Sequence, residues 1–157
     1  MDFKIITTLC YIINSQNQVL LVKKKRGFGV DKWNGPGGKV EPNESIEESL
    51  IREIKEETGL ILQEKKELGF IEFVWPKSLQ DWNTRCHIYF CRDFVGEPVE
   101  SEECLPQWFY FDQIPYDQMW DDDKYWYPDV LRGNEIKKRF YFNEEKKVCS
   151  FEDINNN

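Results

Sequence analysis

The stretch Gly38–Leu60, GKVEPNESIEESLIREIKEETGL, decides how the rest of this chain is read. Ser45 followed by Glu48 is the start signal of a capping box, and Gly59 can take the left-handed conformation that ends a helix, so the spacing predicts a helix between them. Turning about 100° per residue from Ile46, Leu50 falls near 40° and Ile54 near 80°, which defines a buried stripe. Glu57 falls at about 20°, inside that stripe, while Glu53 and Glu56 fall at about 340° and 280° on its border. A carboxylate at a buried edge is costly unless something cationic meets it. Glu48, Arg52 and Lys55 lie on the opposite side, where solvated ion pairs belong. A helix rich in Glu, Lys and Arg needs no function of its own. The i, i+3, i+4 spacing of Glu53, Glu56 and Glu57, however, brings their oxygens to one patch, as the hard ions Mg²⁺ and Mn²⁺ require.

Immediately upstream, five of the nine glycines lie between Gly27 and Gly38, together with Trp33 and Pro36. This is a structured loop without periodicity, of the kind that brings backbone close to a ligand. A phosphorylated substrate bridged by divalent cations accounts for both the loop and the acidic helix. Further out, Lys4–Ile13 and VLLVKKKR read as two strands joined at NSQNQ by a short hairpin. Downstream, KELGFIEFVW and CHIYFCRDFV read as strands separated by a polar loop holding Pro76 and Asn83, and LPQWFYF as another. DDDKYWYPDVLRG reads as a short helix capped by an Asp and ended by Gly133, with Pro128 tolerable only near its first turn. KRFYFN and KKVCSFEDI form a last pair of strands. The class is α/β, more narrowly α+β, and 157 residues make one domain, 1–154, with Asn155, Asn156 and Asn157 expected to fray.

Composition excludes several function classes. Asp and Glu total 29 against 21 Lys and Arg, a net charge of −8, so a basic face for a nucleic-acid polymer is not expected. No apolar run approaches the roughly 20 residues that cross a bilayer, and the acidic Asp2 stands where a secretory signal wants positive charge. A soluble, cytoplasmic protein is expected. Five cysteines with no C-x-x-C pair suit a reducing compartment, and with His87 as the one histidine they lack the ligands for a soft-metal site. Nothing in the chain demands a partner subunit, so a monomer is expected. Of 24 aromatic residues, nine fall between Trp108 and Tyr127. Some of these are core; the sharper reading is a pocket for a flat ligand.

Gly38, Glu44, Arg52, Glu53, Ile54, Glu56, Glu57, Gly59 and Leu60 match the box G-x5-E-x7-R-E-U-x-E-E-x-G-U at every fixed position, and on that ground the chain resembles the Nudix hydrolases. The resemblance implies a mixed β-sheet sandwiched between α-helices and metal-dependent hydrolysis of a nucleoside diphosphate linked to another group. It also implies metal ligands at Glu53, Glu56 and Glu57, the Gly38 backbone and Glu103, with Arg52 and Glu44 orienting them. From Thr8 to about Phe142 the chain looks like the animal MutT-type branch, which acts on oxidised purine nucleoside triphosphates. Carried over position by position, the resemblance puts Thr8 and Lys24 near the sugar and phosphates and Gly37, Gly38 and Lys39 in the loop contacting substrate. Asn34 stands beside that loop, Phe28 and Phe73 serve as apolar walls, and Trp120 as a stacking plane. Asp122 and Asp123 face the base edge, and Trp126 and Phe142 line the back. This chain departs from the branch at Pro36, at Thr84, and in a longer WPKSLQDWN loop.

The chemistry of that pocket follows from its residue types. An aromatic plane stacks a purine for ~1–3 kcal/mol, and the base edge needs aimed donors and acceptors. Two adjacent acids in a dry pocket do not both ionise readily, so one neutral Asp can donate while the other accepts. Read without the resemblance, Asp121–Asp123 is a solvated turn, Asn34 a turn residue, Lys23–Lys25 an edge-strand charge device, and Glu103 a surface carboxylate. The implied reaction is pyrophosphohydrolysis: Mg²⁺, or Mn²⁺ in its place, neutralises a nucleoside triphosphate, water attacks a bridging phosphorus, and monophosphate and pyrophosphate leave. Two rival readings are a Nudix hydrolase of another nucleotide, such as a methylated purine triphosphate or a dinucleoside polyphosphate, and a module that binds nucleotides without cleaving them.

Overall fold

Residues 2–154 are described in the computed structural model, and the Asn155–Asn157 tail expected to fray lies outside the described residues. In chain order the elements are β1 (Ile5–Ile12), β2 (Gln18–Lys24), β3 (Trp33–Asn34), β4 (Gly37–Lys39), α1 (Ile46–Thr58), β5 (Ile61–Leu62), β6 (Lys65–Val74), β7 (Thr84–Cys91), β8 (Phe94–Val95), β9 (Cys104–Tyr110), α2 (Asp123–Leu131), β10 (Ile136–Phe142) and β11 (Val148–Asp153). Short 3₁₀ segments occupy Lys77–Trp82, Phe111–Gln113 and Tyr116–Gln118.

α1 begins and ends where its signals place it. Ser45 Oγ accepts from the Glu48 N–H at 3.0 Å, and Gly59, at φ 81°, donates its N–H to Lys55 O at 2.9 Å. Leu50 and Ile54 are fully buried against Cys10, Ile12, Leu20 and Tyr89. α2 differs from expectation at its start. Asp122 stands at the N-cap but makes no side-chain cap bond, because its Oδ2 instead accepts from Trp126 Nε1 at 2.7 Å inside the fold. Pro128 lies in the second turn of α2 rather than the first, and Gly133, at φ 80°, follows its last turn.

Six strands form one mixed sheet in the order β11-β10-β6-β7-β1-β4, with β1 parallel to β7 and β6 parallel to β10. The expected terminal strand pair is present as antiparallel β10 and β11. The expected first hairpin is not. β1 joins the six-stranded sheet, whereas β2 lies between β3 and β9 in a second, three-stranded one, and a single bridge, Ile13 to Val19, links the two runs. The cause is their apolarity: Cys10–Ile13 and Val19–Val22 are buried on both faces, so each run sits between partners from distant parts of the chain instead of exposing an edge. CHIYFCRDFV likewise divides at Arg92–Asp93 into β7 and β8, and the glycine-rich loop contains the short strands β3 and β4.

One apolar layer lies under α1, and a larger one holds Tyr11, Ile71, Trp126, Tyr127 and Phe140 between the large sheet and α2. Glu72, 1% exposed, lies on the sheet between Arg85 and Arg139, each of which donates to it through Nε and a terminal nitrogen. Bidentate partners on both carboxylate oxygens are what a buried charge requires. Among the described residues no helix is long and apolar enough to cross a membrane.

Candidate active site

β4 sits between β1 and α1 and brings backbone against the helix. A Cβ on Gly37 would collide with the Thr8 backbone, and one on Gly38 would have to push the Glu53 carboxylate aside. Glu57 turns into this seam. It is 7% exposed, its Oε1 accepts from the Gly37 N–H at 2.8 Å, and its Oε2 accepts from Cys104 Sγ at 3.0 Å. Burial pushes its carboxyl up to about 7 against those two donors. Burial and the Glu57 charge raise the Cys104 thiol in turn, so it stays protonated and donates.

Arg52 does not sit apart in solvent as the wheel placed it; it reaches across the acidic border. Nε and one terminal nitrogen grip Glu44 at 3.0 and 2.7 Å, and that terminal nitrogen also donates to the Lys39 carbonyl at 3.2 Å. The other terminal nitrogen holds Glu53 at 2.9 Å and Glu56 at 3.2 Å. The guanidinium holds the Glu44 carboxyl down at about 2. Glu53 is half-buried and its carboxyl is raised by that burial, while Glu56 is exposed. Glu103 lies exposed on the loop before β9, 3.4 Å from Arg26, near enough for its charge to bear on Glu53. Among the described residues no three His, Cys, Asp or Glu side chains are gathered into a formed metal cage. The donor set nevertheless fits a hard divalent ion: Glu53, beside the Gly38 backbone, Glu56, Glu57 and Glu103 offer carboxylate oxygens, with the Arg52 guanidinium on Glu53 and Glu56 and that of Arg26 on Glu103.

Glu57 is also on the wall of a cavity of about 560 Å³, within the range of small-molecule sites. Thr8, Lys24, Phe28, Asn34, Gly37, Gly38, Lys39, Phe73, Trp120, Asp122, Asp123, Trp126 and Phe142 all line it. Glu44, Arg52, Glu53, Glu56 and Glu103 lie outside its wall, on the α1 side of the mouth. Trp120 and the exposed Phe28 stack at 5.0 Å and 25°, with Lys32 Nζ 5.3 Å from the Trp120 ring. Gly29, at φ 83°, leaves that indole free of a Cβ contact from the loop. Asn34 Oδ1 accepts from the Gly35 N–H at 2.9 Å, which fixes its side chain at the loop. Asp122 and Asp123 are 3% and 2% exposed, and burial raises both carboxyls, with the Asp121 charge adding to it at Asp122 and the Asp122 charge at Asp123. At least one is therefore a neutral donor near neutral pH.

Sequence reasoning missed the outer aromatic wall. Trp75 stacks on Phe142 at 4.4 Å and 15°, and Trp82 meets Phe28 edge-on at 4.8 Å and Trp75 at 5.4 Å. Both flank the Lys77–Trp82 segment read as a polar loop. The signal was present in a Trp at either end of that segment. Lys32 and Cys86 also line the cavity and carried no signal in the sequence.

A family model of the NUDIX domain matches residues 4–130. The chain belongs to the Nudix family. It is 42% identical over 146 residues to the oxidized purine nucleoside triphosphate hydrolase of Mus musculus, covering 92% of this chain and 90% of that protein. Its counterpart from Danio rerio is 45% identical over 131 residues, covering 82% and 79% respectively. Among solved structures, a MutT protein from Bacillus halodurans superposes with a TM-score of 0.81 at 26% identity, over 94% of this chain and 96% of that one. The mixed sheet and sparse helices described above are thus those of the Nudix fold.

Proposed function

We propose that this chain is a pyrophosphohydrolase of oxidised purine nucleoside triphosphates, of the 8-oxo-dGTP and 2-hydroxy-dATP kind, releasing monophosphate and pyrophosphate and so clearing oxidised bases from the nucleotide pool. The observation that carries this reading is continuity: one cavity is lined at once by Glu57 and the Gly37–Gly38 backbone and by Trp120 and the buried acid pair. A nucleotide laid along it places phosphates at the first group and base at the second. The two animal relatives are named for that substrate class.

In this reading Glu53, Glu56, Glu57, Glu103 and the Gly38 carbonyl hold Mg²⁺, or Mn²⁺ in its place. The ion supplies neutralisation of the polyphosphate and activation of water. Arg52, fixed on Glu44, orients Glu53 and Glu56. Lys24 and Lys39 meet the phosphates and Thr8 the sugar. The proton released by the attacking water passes to a carboxylate of Glu56 or Glu57. At the other end Trp120 stacks the base, with Phe28, Phe73, Trp126 and Phe142 around it. Asn34, Asp122 and Asp123 address its polar edge. The acidic surface and the five free thiols support a cytoplasmic monomer of one domain spanning 1–154, with no membrane or nucleic-acid polymer as partner.

A product assay with Mg²⁺ across 8-oxo-dGTP, 2-hydroxy-dATP, dGTP, a methylated purine triphosphate and a dinucleoside polyphosphate tests it. The expected result is pyrophosphate release fastest with an oxidised purine triphosphate. Preference for the dinucleoside polyphosphate or the methylated base, or binding without turnover, would overturn the assignment.

A further inference from the structure

Three polar atoms are buried without a hydrogen-bond partner among the described residues: Tyr11 Oη, Tyr127 Oη and Asp123 Oδ2 of the acid pair itself. They come from β1, α2 and the first residue of α2, and they lie together. The Tyr11 and Tyr127 rings meet edge-on at 4.5 Å, both fully buried, with their hydroxyls near enough to interact but not aligned as a hydrogen bond, and the Asp123 charge bearing on each. The Tyr127 hydroxyl points under the cavity floor, where a Cβ on Gly35 would lie 3.1 Å from it. An apolar core would be as well filled by phenylalanine at either position. A buried hydroxyl left unpaired costs the full desolvation of the group, and interiors avoid leaving such groups isolated.

We propose that Tyr11 Oη, Tyr127 Oη and Asp123 Oδ2 enclose a polar site for one water molecule behind the base pocket, and that the two tyrosines are positioning residues which set the purine edge Asp123 reads. Three partners are what a buried water needs. The inference rests on the assignment of the cavity's far end to the base. A 6-oxo purine offers an acceptor at C6 and a donor at N1, whereas a 6-amino purine offers the reverse. An acid that faces this edge must therefore present a proton in one case and a lone pair in the other. A donor held on the inner oxygen favours the ionised form and biases that choice. The other groups facing Asp123 are Asp122 beside it, Lys32 from the glycine-rich loop, Cys86 from β7 and Tyr116 from the turn before α2. Of these only Lys32 is cationic, so the neutral donors near Asp123 are the two hydroxyls and the Cys86 thiol.

The test compares Tyr11→Phe, Tyr127→Phe and the double variant with the unaltered chain, measuring kcat and KM for 8-oxo-dGTP and 2-hydroxy-dATP. The expected result is a change of ~10-fold in the kcat/KM ratio of the two substrates, carried in KM, in the same direction for each single variant and no larger in the double variant, because all three disturb one shared site. A ratio within twofold of the unaltered chain in both single variants, or an equal loss on both substrates, overturns the proposal. If the unaltered chain hydrolyses neither nucleotide, it is the proposed function that has failed. The tyrosines are then judged by carboxyl-carbon NMR of Asp123 in the nucleotide-free protein: its titration midpoint moves upward in Tyr127→Phe, and an unmoved midpoint overturns the proposal. Should Tyr127→Phe fail to fold, Tyr11→Phe carries the same comparison.

Discussion

The acidic border of α1 and the acid pair in the cavity beside it are built from the same functional group under opposite physical regimes. At the α1 end, carboxylates share a guanidinium at a partly open surface: Glu44 is held down at about 2 and Glu53 and Glu56 lie on one nitrogen of Arg52. At the α2 end, Asp122 and Asp123 are buried with an indole N–H as their one short side-chain donor, and burial drives both toward the neutral form. Glu57 lies between the regimes, buried like the aspartates yet wired by two donors to the phosphate edge. The contrast teaches that a carboxylate keeps its charge where a guanidinium and an open surface meet it and loses it where burial does, which in the proposed reading separates a polyphosphate and cation end from a base end.

The sharpest way to break this contrast is Glu57→Gln. It keeps shape and the Gly37 contact but removes the charge, so kcat should fall roughly 10³-fold with an unchanged melting temperature. Turnover within tenfold of the unaltered chain, in a direct product assay, would detach Glu57 from the chemistry. Trp120→Ala comes next: loss of a stacking plane worth about 1–3 kcal/mol should raise KM about 10- to 100-fold, with kcat little changed. A pure kcat effect in steady-state kinetics would move Trp120 from the base end to the reaction centre.

The acid pair can be separated from the helix by pH. Both aspartates have folded-state values above the ordinary 3.8, so the folded chain holds these protons more tightly than the unfolded one. Their favourable contribution is present below 3.8 and is lost as pH rises through the folded values. Thermal unfolding should therefore show stability falling from about pH 4 upward by an amount that Asp122→Asn with Asp123→Asn removes; one pKa unit is about 1.4 kcal/mol. An identical pH slope in the double variant would mean the pair is solvated. The smallest effect is expected at Ser45→Ala, which deletes the cap of α1 for about 1 kcal/mol of stability while leaving kcat unchanged.

How much of this was legible in the sequence depended on how local each feature is. The α1 boundaries follow from two residues that act on their own helix, and the acidic stripe from angular spacing, so both could be read directly. The partners of β1 could not: it pairs with β7 and β4, and no feature of NSQNQ says that the runs it connects part into different sheets. Trp75 and Trp82 belong to the cavity only because the Lys77–Trp82 turn folds them toward Phe28 and Phe142. Tyr11 and Tyr127 are likewise ordinary core positions until β1 and α2 meet. The angular convergence of Glu53, Glu56 and Glu57 was legible, but not the guanidinium among them, since Arg52 crosses over and holds two of the three.

The tight seam at Gly37 and Gly38 has a practical corollary for any programme of genetics or inhibitor design. The atoms that would greet a ligand there are the same ones that let strand, neighbouring strand and helix approach, so damage to recognition and damage to assembly arrive together. A side chain gained at Gly37 meets the Thr8 backbone, and one gained at Gly38 has to push the Glu53 carboxylate aside, so escape at either position comes with a disturbance of the seam itself.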